Sequence, residues 1–203
     1  METTIPTALA GCEFEYLDLS CVMFCRGDVL GKIMAFISLL PHVEFLCLLS
    51  ASLFAPKQIQ LPVWRVVFLL SLGERLNAVL KNIIAQQRPV SELVAYGAYG
   101  MPSAHAQFQS TLMVSTLRII FSSPEFPSLR KGFLLALSAA LLSSVVLVGI
   151  SRVYHPYHTC SQVILGGVVG ILIGLNIHNP VLDRLAEGAS RLFDFLKKTY
   201  VFQ

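Results

Sequence analysis

Three polar clusters interrupt a chain that is otherwise strongly apolar. The first is Lys81-x6-Arg88-Pro89. The second runs Tyr99-Gly100-Met101-Pro102-Ser103-Ala104-His105. The third spans Ser151-Arg152 to His158 and ends at Gln162. Lys81, Arg88 and Arg152 would place three cations in one cavity if the clusters converge. Arginine binds phosphate oxygens bidentately and lysine acts as a point charge. Ser103 offers a hydroxyl. The backbone N–H groups from Ala104 onward would open a helix, and a helix N-terminus is an anion site. Pro102 suits the residue just before such a start. Two imidazoles, His105 and His158, can supply a nucleophile and a proton donor near neutral pH. Together these groups point to phosphoryl transfer through a phosphohistidine. One histidine attacks while the other protonates the leaving oxygen and then activates water. No carboxylate cluster accompanies them, so neither a metal nor a cofactor is implied.

The elements that would position these residues are membrane spans. The chain has 203 residues, 55% hydrophobic and 13% charged, with a mean hydropathy of +0.68. A soluble domain carries roughly 25% charged residues. Five stretches approach the ~20 residues needed to cross a bilayer, near 33–54, 62–84, 104–121, 132–150 and 159–177. Proline and glycine punctuate the breaks, from Pro56 and Pro62 to Pro156. The expected fold is all-α, a polytopic membrane helix bundle of about five transmembrane helices. Residues 1–30 form an acidic N-terminal segment, 31–178 the transmembrane catalytic domain and 179–203 a C-terminal tail. In that tail Val181, Leu182, Leu185, Leu192, Phe193 and Leu196 recur at helical spacing among basic residues. That pattern predicts an amphipathic helix on the membrane surface, or one packed on a partner.

Charge orients the bundle. With five spans, the 55–61 link, the 122–131 link and the tail share one side. They hold Lys57, Arg130, Lys131, Arg184, Arg191, Lys197 and Lys198. The positive-inside rule places that side in the cytosol. The acidic N-terminus, the 85–103 loop and the 151–158 turn then face the lumen or exterior, and all three polar clusters lie there. The formal charge of +3, without a basic block, gives no reason to expect nucleic acid as a partner. Residues 1–31 lack the basic start and apolar run of a secretory signal peptide.

The three clusters in this order, K-x6-R-P, P-S-x-H and S-R-x5-H, resemble the signature of the type 2 phosphatidic acid phosphatase (PAP2) superfamily. The likeness implies a metal-free lipid phosphatase. Lys81, Arg88, Ser103, Ala104 and Arg152 would bind the phosphate, His105 would be the general acid and His158 the nucleophile. Two positions depart from the usual pattern. Ala104 stands where the superfamily usually has Gly, and Gln162 where it usually has an Asp that orients the nucleophile. Gly27-Asp28-x-x-Gly31, Tyr99 to Ser103 and Tyr157-His158-Thr159-x-Ser161-Gln162 are similar to the dolichyldiphosphatase branch, in which Gln occupies the position of Gln162. That branch implies hydrolysis of dolichyl pyrophosphate, a polyprenyl lipid held in the bilayer, at the lumenal face of the endoplasmic reticulum, recycling the carrier for N-glycosylation. Other readings are a phosphatase for another lipid phosphate or isoprenoid pyrophosphate, and a catalytically silent lipid-binding membrane protein. Protein partners are not indicated.

Other polar residues get humbler expectations. His42 and Glu44 fall inside the first apolar stretch and are expected to make polar contacts within the bundle. Glu74 and Asn77 are expected to support Lys81 from behind. His155 reads as a solvated loop residue more readily than a phosphate ligand, and Trp64 and Tyr200 as interfacial anchors. Of the five cysteines, Cys21 and Cys25 would pair in an oxidising lumen, but spacing alone favours free thiols throughout.

Overall fold

The structure is a computed structural model that describes residues 13–17, 22–89, 99–122 and 131–200. Cys21, Arg130 and the side chain of Tyr200 therefore lie outside the described residues. The element order is β1 (Phe14–Leu17), β2 (Val22–Cys25), α1 (Val29–Ile37), α2 (Leu40–Phe54), α3 (Lys57–Ile84), α4 (Ala104–Ser122), α5 (Lys131–Tyr154), α6 (Cys160–Gly174) and α7 (Pro180–Tyr200). Helices occupy all five apolar stretches, the first as the α1–α2 pair. Val29–Phe54, with 26 residues, and Lys131–Tyr154, with 24, are each long and apolar enough to cross a bilayer. Cys160–Gly174 is apolar as well but has only 15 residues, while α3 and α4 carry more polar residues. In α4 these face inward, where Gln107, Gln109, Ser110, Thr111 and Ser115 are all buried.

The centre of the bundle is the packing of α4 on α6. Gly166, Gly170 and Gly174 form one stripe on α6. A Cβ at Gly170 would sit 2.3 Å from the carbonyl oxygen of Gln107, and one at Gly166 would sit 2.5 Å from that of Ser103. Small residues at this spacing let helix backbones approach closely. The Thr111 hydroxyl uses that proximity to donate to the Gly170 carbonyl at 3.1 Å. Val66, Leu69 and Leu70 of α3, Phe108 and Leu112 of α4 and Leu182 of α7 form the apolar core beside it.

Helix α7 packs along α3. Arg65 pairs with Asp183 at 2.7 Å, Lys57 pairs with Asp194, and Leu182 and Ala186 are buried. Val181, Leu185, Leu192, Phe195 and Leu196 stay exposed, so an apolar face remains beside the packed one.

The N-terminal segment holds a structure that composition did not suggest. β1 and β2 pair antiparallel, with Phe14 opposite Cys25 and Leu17 opposite Val22. Cys25 is disulfide-bonded, which overturns the expectation of free thiols throughout. Its partner lies outside the described residues. After the hairpin, Gly27 takes a left-handed φ of 86°, which glycine tolerates without steric cost. Asp28 then caps α1 by accepting from Gly31 N–H at 2.8 Å. A Cβ at Gly31 would meet the Asp28 carboxylate at 2.3 Å. The Gly27-Asp28-x-x-Gly31 pattern is thus a helix-capping device.

Candidate active site

Each polar cluster lies at a helix end. Lys81 is in the last turn of α3, which stops at Ala85 in a left-handed conformation with φ 52°. That reversal sends Gln86, Gln87 and Arg88 back over the bundle. Ser103 immediately precedes α4, and Arg152 is in the last turn of α5. His158 precedes Thr159, the N-cap of α6.

Backbone hydrogen bonds join the clusters. Gly100 N–H donates to Gln86 O at 2.8 Å, Ser103 N–H to Gln162 O at 3.0 Å, and His158 N–H to Arg152 O at 3.1 Å. All the predicted site residues come together here. Arg88 Nη1 lies 3.5 Å from His158 Nε2 and 3.4 Å from the Tyr157 carbonyl. His105 is within electrostatic reach of Arg152, His158 and Lys81, and Lys81 is within reach of Arg88 and Arg152. Ser103 is fully buried, and its hydroxyl has no hydrogen-bond partner among the described residues. Ala104 has no left-handed φ, so alanine fits there without strain and its N–H opens the first turn of α4.

The tautomer of His158 follows from its neighbours. Nδ1 lies 2.9 Å from Gly100 O and 3.1 Å from Gln162 Oε1. Both are acceptors, so Nδ1 carries the proton and Nε2 keeps its lone pair. Burial, followed by the fields of Arg152 and Arg88, pushes the imidazole down to about 3. His158 is therefore neutral at physiological pH, as a nucleophile must be.

Gln162 is fully buried, and its amide is used at both ends. Oε1 accepts from His158 Nδ1 and from Thr159 N–H at 3.3 Å. Nε2 donates to Gln86 Oε1 at 3.1 Å and Gln87 O at 2.9 Å. With Thr159 Oγ1 accepting from Gln162 N–H, the residue also completes a capping box. A carboxylate here would offer nothing to donate to Gln86 and Gln87.

Several supports were not foreseen in the sequence. Gly100 is one, both as an acceptor for His158 and because a Cβ there would lie 2.5 Å from Gln162 Oε1. Tyr157 and Ser38 are two more, as partners of Arg152: its guanidinium carbon stacks 4.5 Å over the Tyr157 ring, and Nη1 donates to Ser38 Oγ at 3.3 Å. Asn77 supports the second cluster instead of Lys81. Its amide donates to Gln107 Oε1 at 2.8 Å and reaches Pro102 O at 3.4 Å, while Gln107 Nε2 donates to Gly73 O at 2.7 Å. The run of polar residues Gln107, Gln109, Ser110 and Thr111 inside an expected span was the one signal available for Gln107. Glu74 does lie within electrostatic reach of Lys81. Glu44 makes its bundle contact by accepting from Gln109 Nε2, while Gln109 Oε1 accepts from Ser144 Oγ at 3.0 Å. His155 is buried and hydrogen-bonded to the Gly31 carbonyl at 3.0 Å, so it is a structural residue and not a solvated one.

Residues 62–184 match the PAP2 superfamily. The chain belongs to that superfamily. Among curated relatives, Dolichyldiphosphatase 1 of Homo sapiens is 30% identical over 198 residues, covering 89% of this chain and 80% of that one. Dolichyldiphosphatase of Saccharomyces cerevisiae is 33% identical over 163 residues, covering 77% and 66%. The crystal structure of a PAP2-type phosphatidylglycerolphosphate phosphatase from Bacillus subtilis superposes with a TM-score of 0.62 at 22% identity, covering 75% of this chain and 77% of that one. That likeness speaks to the fold.

Proposed function

We propose that this PAP2 member is a lipid pyrophosphate phosphatase that converts dolichyl pyrophosphate to dolichyl monophosphate and inorganic phosphate. The observation that carries the chemistry is the state of His158. Nδ1–H is fixed by two acceptors and Nε2 carries no proton, its lone pair facing Arg88 Nη1 at 3.5 Å. In the first step Nε2 attacks the terminal phosphorus, the bond from phosphorus to the bridging oxygen breaks, and His105 gives its proton to that oxygen. Lys81, Arg88 and Arg152 offset the charge on the equatorial oxygens, with the Ser103 hydroxyl and the first N–H groups of α4 as donors. In the second step His105 takes a proton from water, which attacks the phosphohistidine and frees phosphate. The curated relatives named dolichyldiphosphatase support the choice of lipid.

The site lies in the endoplasmic reticulum membrane, facing the lumen, in a five-span bundle, and returns the carrier to N-glycosylation. Two observations support that orientation. The basic links and tail fall on the opposite side. The disulfide-bonded hairpin docks on the site, with Met23 N–H donating to Tyr157 Oη at 3.1 Å, and disulfides persist in oxidising compartments. The test is phosphate release by the full chain in detergent with EDTA, from dolichyl pyrophosphate, dolichyl monophosphate and phosphatidate. Preference for the pyrophosphate, abolished in His158→Ala, is expected. Equal turnover of phosphatidate would make it a general lipid phosphatase, and activity surviving in His158→Ala would sink the mechanism.

A further inference from the structure

His105 faces two ways. It lies beside the cations of the phosphate site, and it also lines a cavity of about 740 Å³ between α2, α3 and α4. Lys81, Arg88, Arg152 and His158 are not among the residues lining that cavity. Most of its wall is apolar, with Phe45, Leu70 and Phe108 as large contributors, but His42, Glu74 and Arg75 line it too. The His42 ring meets the His105 ring edge-on, centroids 5.5 Å apart. Polar side chains on an apolar wall next to a proton donor require an explanation, because ionisable groups at membrane depth are costly.

The leaving group supplies one. When His158 attacks the terminal phosphorus, the electrons of the breaking bond go to the bridging oxygen. If the substrate is a monoester, that oxygen belongs to an alcohol, and one proton from His105 completes the departure. With a pyrophosphate it belongs to a second phosphate, which carries its own negative charge and remains on the lipid. The cations around His158 are engaged with the terminal phosphate, so the second phosphate needs its own cation on the far side of His105. Arg75 is the cation that lines the cavity there, and it has no ion pair among the described residues. Glu74 shares the wall, but its electrostatic partner is Lys81.

We propose that this cavity is the leaving-group subsite, in which Arg75 and His42 bind the lipid-linked phosphate and set a preference for pyrophosphate over monophosphate, while the apolar wall takes the first part of the chain. The proposal rests on the pyrophosphatase function proposed above. Arg75 and His42 are specificity-determining residues, and the proton transfer stays with His105.

The test compares kcat/KM for farnesyl pyrophosphate and farnesyl monophosphate, two probes with the same lipid. The full chain in detergent is measured as wild type, Arg75→Ala, Arg75→Lys and His42→Ala. A charge-assisted hydrogen bond is worth about 1.5–3 kcal/mol, roughly tenfold to a hundredfold. The pyrophosphate-to-monophosphate ratio is therefore expected to fall at least roughly tenfold in Arg75→Ala, with Arg75→Lys retaining part of it. The ratio is read within each preparation, so loss of folded protein cancels. A wild type that prefers pyrophosphate, with the same ratio in every variant, overturns the subsite and leaves the pyrophosphatase function standing. The subsite is equally overturned if both substrates slow together at a constant ratio, which would make these residues mere supports of His105. A wild type without preference overturns the pyrophosphatase function and the subsite with it.

Discussion

Replacing Gln162 with alanine separates two accounts of how the nucleophile is held. If Gln162 alone fixes the His158 tautomer, its loss resembles loss of the orienting residue in a catalytic triad, where activity drops about 10⁴-fold through the wrong tautomer. Here, however, Gly100 O lies 2.9 Å from the same Nδ1, closer than Gln162 Oε1 at 3.1 Å. The proton stays on Nδ1 in Gln162→Ala, and what is lost near the nucleophile is one neutral hydrogen bond, about 0.5–1.5 kcal/mol. That corresponds to a fall in kcat of roughly twofold to tenfold. Gly100→Ala should cost more, because its Cβ would fall 2.5 Å from Gln162 Oε1 and displace one of the two acceptors while straining the other. Gln162→Glu is expected to melt at lower temperature, since a carboxylate would face Gln86 Oε1 and Gln87 O, both acceptors. The assay is phosphate release with saturating substrate, alongside thermal melting in the same detergent. A fall near 10⁴-fold in Gln162→Ala would refute the assignment of Gly100 O as second acceptor.

Other perturbations test neighbouring steps. His158 is held near 3 by burial and by Arg152 and Arg88. Arg88→Gln removes one positive charge and makes protonation easier, so the acid limb of kcat/KM against pH should move toward neutrality. A limb that stays put contradicts the site's electrostatics. The same depressed value predicts a contribution to stability present in full above the unfolded pKa of about 6.5 and lost as pH falls toward 3, readable as a melting temperature that drops between pH 7 and 5. Asn77→Ala leaves the buried Gln107 Oε1 without its Asn77 donor, while Gln107 Nε2 keeps the Gly73 carbonyl. It should cost about 1–3 kcal/mol of stability and lower kcat more than it raises KM, whereas a pure KM effect would place Asn77 in substrate binding. Gly170→Ala puts a Cβ 2.3 Å from Gln107 O and should cost about 1–3 kcal/mol through overpacking. Gly132→Ala, with nothing within 4 Å, should not.

The helices and the three clusters were legible because both are local signals. Apolar runs of sufficient length declare helices, and K-x6-R-P, P-S-x-H and S-R-x5-H keep their spacing whatever surrounds them. What was not legible depends on contacts across the fold. The hairpin consists of two four-residue strands in a stretch whose acidic residues dominate its composition, and Tyr157, far along the chain, anchors it. Asn77 lies four residues from Lys81, which suggests service to that lysine, but its amide meets Gln107 and Pro102 across a helix interface. Gly100 reads as a turn residue until α6 brings Gln162 against it.

Three cations and two imidazoles in one candidate site raise a difficulty that the N-terminal segment addresses. Like charges repel, and Arg152 is buried, yet the role proposed for it needs its full charge to remain available. A carboxylate partner would hold it in place but neutralise it toward an incoming phosphate. The contacts of Arg152 are neutral ones: the face of the Tyr157 ring and the Ser38 hydroxyl, which also contacts Ser151 Oγ at 3.2 Å. Asp28, the nearby acid, is engaged in capping α1 and accepting from Tyr154 Oη at 3.0 Å. Met23 N–H fixes Tyr157, and Gly31 O fixes His155. The hairpin and α1 therefore brace the 151–158 segment from behind with hydrogen bonds, while the Arg152–Tyr157 cation–π contact lies within that segment, and no ion pair among the described residues engages Arg152. The hairpin and α1 thus support the proposed site, although none of their residues is a proposed phosphate ligand.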